Sequence, residues 1–154
     1  MKRVEILLVF LISLVTLDIF LHFSDFSFKN KEQKSGLPSY MNKANIDELM
    51  YLVKKSMNNE DYIRLYSEFN KYAQDRFNKD EVVKELKRVA NIVGEIETYS
   101  FNSAYSIPNN EGSDTDWYLI LYDANYTKGK GTVELTIRDE KSNWGLVGLS
   151  IKIN

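Results

Sequence analysis

The chain has 154 residues, 20 Lys/Arg against 22 Asp/Glu, one histidine and no cysteine. Disulfides, thiolate nucleophiles and Cys-bound metals are therefore excluded, and because the lone His22 sits in an apolar N-terminal stretch, residues 23–154 contain neither His nor Cys. That removes Ser-His and Cys-His catalysis and the usual zinc and iron ligands from this part, and its excess of Asp/Glu over Lys/Arg argues against a nucleic-acid partner.

Lys2 and Arg3 precede an apolar run of Ile6, Leu7, Leu8, Val9, Phe10, Leu11, Ile12, Leu14, Val15 and Leu17, relieved only by Ser13 and Thr16. A basic start followed by such a run is the pattern of a signal peptide. Beyond Asp18, Ile19 to Phe23 extend it toward the roughly 20 residues that a membrane helix requires. The residues that follow are large or charged rather than small, which favours an uncleaved signal anchor over 1–23, with a cleaved signal as the alternative. The basic start predicts a cytoplasmic N-terminus with the domain on the extracytoplasmic side, secreted if the signal is cleaved. Residues 24–44, rich in Ser, Lys and Asn with Gly36 and Pro38, read as a flexible linker, leaving 45–154 as the domain.

Asn45 and Glu48 have capping spacing, and Ile46, Leu49, Met50, Val53 and Met57 then recur on one helical face. Asn58-Asn59 breaks that stripe. A second helix is predicted from Tyr62, Leu65, Tyr66, Phe69, Ala73 and Phe77. A third follows the Asn78/Glu81 cap signal with Val82, Leu86, Val89 and Val93, and Gly94 stands where a positive-φ cap residue is expected.

From Glu95 onward the period changes to two. Strand one, to Ile107, places Tyr99, Phe101 and Tyr105 on one face; Pro108 and a polar loop end it. Strand two carries Trp117, Leu119, Leu121 and Asp123 on one face and Tyr118, Ile120, Tyr122 and Tyr126 on the other. Lys128 to Gly131 predicts a hairpin into strand three, where Val133, Leu135 and Ile137 alternate with polar residues. Asp139 to Asn143 reads as the turn into strand four, in which Val147, Leu149, Ile151 and Ile153 alternate. Trp144 falls out of that parity, which a bulge at Gly145 or Gly148 would correct. Helices first and an antiparallel sheet afterwards predict an α+β fold, three helices on one face of a curved four-stranded meander.

This order, with the closing stretch Asn143-Trp144-Gly145-Leu146-Val147-Gly148-Leu149-Ser150-Ile151, resembles the cystatin-like and NTF2-like superfamily of cone-shaped domains. Its small bacterial envelope members end in a similar W-x-(V/L)-x-G stretch and often sit behind a signal or lipid anchor. The resemblance implies a cone-shaped fold and carries no activity over, since the superfamily's acid-base constellations have no match here.

Two sets of residues are candidates for a ligand or partner site. Asp123 continues the Trp117–Leu121 face, where burial would raise its pKa and suit it as a general base. The tyrosine- and tryptophan-rich set Tyr99, Tyr105, Trp117, Tyr122 and Trp144 has the half-apolar, half-polar character of binding surfaces. No cofactor pattern and no metal-ligand set is present. The reading that follows is a non-catalytic, membrane-tethered envelope domain that binds a protein partner or a small apolar ligand. Its alternatives are a structural subunit of a membrane or secretion assembly, and a pocket enzyme of the isomerase or dehydratase type using a carboxylate base.

Overall fold

Apolar periodicity turns into helices and strands over most of the length that the computed structural model describes, residues 36–38, 40–107, 115–140 and 143–154. Contacts divide the chain into two units, Met1–Glu32 and Gln33–Asn154, and every described residue belongs to the second. The anchor expected over 1–23 lies outside the described residues, and no helix among those described is long and apolar enough to cross a membrane.

Among the described residues, four helical segments precede four strands: α1 (Lys43–Asn58), α2 (Tyr62–Ser67), α3 (Lys71–Gln74) and α4 (Lys79–Val93), then β1 (Ile96–Ile107), β2 (Thr115–Tyr126), β3 (Gly129–Glu140) and β4 (Asn143–Ile153). The strands form one antiparallel sheet in chain order, a meander. The apolar stripe of α1 is buried at Ile46, Met50, Val53 and Met57, and that of α4 at Val82, Leu86 and Val93. Both pack with the sheet residues Ile120, Tyr122, Val133, Leu135, Ile137 and Leu149 in a single core. Gly94 ends α4 at a φ of 78°, and a Cβ there would stand 1.9 Å from the Thr127 hydroxyl oxygen, so the site excludes a side chain on two grounds.

Several expectations need correction. The linker does not extend to residue 44. Met41 is buried, Leu37 packs against the core, and the Gly36 amide donates to the Ala104 carbonyl at 3.0 Å. Asn42, not Asn45, caps α1, its side chain accepting from the Asn45 amide at 2.9 Å. The second helix is divided at Phe69, because the Asn70 amide donates to the Leu146 carbonyl at 2.7 Å and the Asn70 side chain caps α3. Strand one is bulged: Phe101 pairs with Tyr122 but Ser103 with Leu121, leaving Asn102 as the extra residue. That bulge turns Tyr105 onto the face opposite Tyr99 and Phe101.

Strand four does carry a bulge, but its extra residue is Val147, between the Leu146–Ile137 and Gly148–Thr136 pairs, and both Gly145 and Gly148 stay paired. It restores Trp144 to the face of Leu146 and Leu149. The turn before that strand starts later than expected, since Asp139 still pairs, with Trp144.

Candidate functional site

The sheet's two faces offer different chemistry, and β3 defines them. Gly131, Val133, Leu135, Ile137 and Asp139 are buried toward the helices, while Thr132, Glu134, Thr136 and Arg138 point the other way. Asp139 is thus a carboxylate that continues an apolar row.

On the helix side, two tyrosine hydroxyls among the described residues donate to carboxylates. Tyr122, fully buried, donates to Asp47 Oδ1 at 2.9 Å, and Lys43 one turn earlier on α1 pairs with Asp47 Oδ2. Burial and the Asp47 bond push the Tyr122 hydroxyl well above its usual pKa, the bond because a charged acceptor favours a hydroxyl that keeps its proton. For Asp47, burial works against the charge, but the bonds from Lys43 and Tyr122 outweigh it and hold the carboxyl below its usual range. Tyr99 and Phe101 meet the Tyr122 ring edge-on at 5.7 and 5.8 Å, and the Lys43 ammonium lies 5.5 Å from the Phe101 centroid. At the other pair, Tyr40 donates to Asp139 Oδ2, with Tyr118 beside it. The Asp139 bond foremost, then burial, raises the Tyr40 hydroxyl far above its ordinary value.

The opposite face is half apolar and half polar. Tyr105 pairs with Leu119, Ser103 with Leu121 and Ile107 with Trp117, all half-buried. Tyr72 of α3 reaches this face: its ring meets Trp117 edge-on at 5.6 Å, and the Arg138 guanidinium lies 4.1 Å from its centroid. Toward the other end, Thr98, Ser100, Asp123, Asn125, Lys130 and Asn154 line an open groove of about 480 Å³.

Asp123 corrects the expectation of a buried base. It is exposed, and both of its oxygens accept from the Asn102 side-chain amide at 3.0 Å. The apolar residues before it belong to the face turned from the helices. The aromatic set is divided likewise. Tyr99 and Tyr122 touch on the helix side, Trp144 lies on that side opposite Asp139, and Tyr105 and Trp117 share the other face with Asp123. Sequence reasoning missed Asp47, Tyr40 and Asp139. The parity of Val133, Leu135 and Ile137 already reaches Asp139, and is the signal that would have found it.

No family model matches the chain, and no curated protein matches it. Among solved structures, a protein from Ruminococcus gnavus superposes with a TM-score of 0.57 at 16% identity, covering 79% of this chain and all of that one. The two share a fold. A protein described as an NTF2-like transpeptidase from Campylobacter jejuni gives a TM-score of 0.42 at 13% identity, covering 66% of this chain and 96% of that one, too distant to carry any inference.

Proposed function

We propose that this chain is a non-catalytic binding module of the NTF2-like kind, held at a membrane by residues 1–23 with the domain on the extracytoplasmic side, and that the sheet face turned from the helices takes a protein partner. The observation that carries this reading is the composition of that face. An apolar centre of Tyr105, Leu119 and Leu121 adjoins a polar border of Ser100, Asp123, Asn125 and Lys130, the layout of a transient protein interface. The long helices α1 and α4 bury their stripes against the other face. The interior leaves little for a small apolar ligand, since Ile120, Tyr122, Val133 and Leu135 are each fully buried by the chain's own packing. Support for the absence of catalysis comes from the lack of His and Cys over 23–154 and from the hydrated position of Asp123.

The test is co-purification of the full-length protein from host membranes in detergent, wild type beside Leu119→Glu. Leu119 lies outside the helix-side core, so the variant is expected to keep its thermal midpoint and to lose at least tenfold of a stoichiometric partner. A wild-type protein that retains nothing, or a variant that retains the partner equally well, overturns the proposal. Retention of a second copy of this chain through the same face would assign it instead as a structural subunit of an assembly.

A further inference from the structure

Asp139 is 2% exposed and stands at the helix-side end of β3, with Trp144 opposite it on β4. Its Oδ2 accepts from Tyr40, which has Tyr118 beside it. Its Oδ1 is buried and has no hydrogen-bond partner among the described residues. The adjacent cation, Arg138, faces the other side of the sheet, where it pairs with Glu140 and lies against Tyr72. A carboxylate withdrawn from water with one neutral donor and no cation paired to it among the described residues is costly, and such a group calls for a partner.

We infer that Asp139, Tyr40 and Tyr118 form a binding site for a primary alkylammonium group, whose N–H bonds Asp139 Oδ1. A donor is required because the open atom is an acceptor, and a positive charge because a charge-assisted bond offsets the burial of the carboxylate. An ammonium fits better than a guanidinium. The guanidinium fork seeks both carboxylate oxygens, and Oδ2 is already engaged by Tyr40, whereas an ammonium completes the site with a single N–H. Entry is over Tyr40, which is 43% exposed and sits at the end of a strap that hydrogen-bonds β1 through Gly36 and buries Met41. The ammonium can belong to a free amine or to a lysine side chain. This site lies on the face opposite the proposed partner surface, so the failure of either reading leaves the other standing.

The experiment uses the full-length protein in detergent micelles with isotope-labelled tyrosine, titrated with n-butylammonium, with its neutral counterpart n-butanol, and with Nα-acetyl-lysine amide. Saturable shifts of the Tyr40 and Tyr118 ring resonances are expected from the two amines, with n-butanol at least tenfold weaker. Tighter binding of the lysine derivative than of n-butylammonium identifies a lysine side chain as the source, and the reverse order a free amine. Asp139→Asn is expected to weaken amine binding at least tenfold. Should that variant fail to fold, Tyr40→Phe keeps the carboxylate, removes its competing donor, and is expected to change amine affinity severalfold while n-butanol is unaffected. No saturable shift with either amine, equal binding of n-butanol, or unchanged amine binding in Asp139→Asn overturns the inference.

Discussion

Tyr122 and Asp47 join the sheet to α1 through one hydroxyl, so removing that oxygen tests how much the seam depends on it. The acceptor is charged but partly hydrated, which places the loss in Tyr122→Phe toward the lower end for such bonds, about 1–1.5 kcal/mol by urea unfolding. The pH dependence has a definite sign. Asp47 is held below its usual pKa in the folded state, so its contribution is complete above the unfolded value near 4 and is lost as the pH falls through the folded one. In Tyr122→Phe the Asp47 pKa, followed by carboxyl NMR titration, is expected to rise toward the ordinary value, and the acid-side loss of stability to become shallower. An unchanged Asp47 titration would mean that Lys43 alone sets its charge.

Among the elements, the division between α2 and α3 departs most from simple periodicity. Phe69 is buried and Asn70 is drawn to the Leu146 carbonyl, so the sheet edge competes with helix continuation and wins. Gly145 permits this approach, since a Cβ there would stand 2.8 Å from the Asn70 Cβ, closer than carbon atoms tolerate. Gly145→Ala is therefore expected to cost about 1–3 kcal/mol and to loosen α3, read as faster amide exchange at Ala73 and Asn70. If thermal unfolding and exchange are both unchanged, the contact with Asn70 is not a constraint. The bulge at Asn102 shows the same competition on β1. It brings buried Ala104 to the helix side and sends Tyr105 away, which no period-two count over 95–107 can reveal.

For the molecule as a whole, the question is where the domain begins. A fragment starting at Gly36 retains the Ala104 bond, buried Met41 and the Asn42 cap; one starting at Asn45 loses all three. Loss of a buried methionine costs about 2–5 kcal/mol and loss of a cap about 1 kcal/mol. The longer fragment is expected to unfold cooperatively, and the shorter to be less stable by several kcal/mol or to aggregate. Equal denaturant midpoints would show that the strap contributes nothing.

The residues themselves determined the α+β order, the stripes of α1 and α4, the alternation of β3, the need for a bulge after Trp144, though not its position, and the absence of His and Cys chemistry. Each depends on a local period or on composition, which the chain carries without reference to distant contacts. The tertiary structure decided which face of β2 is covered, where β1 slips, where the second helix divides, and that Tyr40 from the presumed linker meets Asp139 from the presumed turn, 99 positions away. Those outcomes depend on cross-strand register and on competition between helix and sheet-edge hydrogen bonds, and both are set by partners far along the chain.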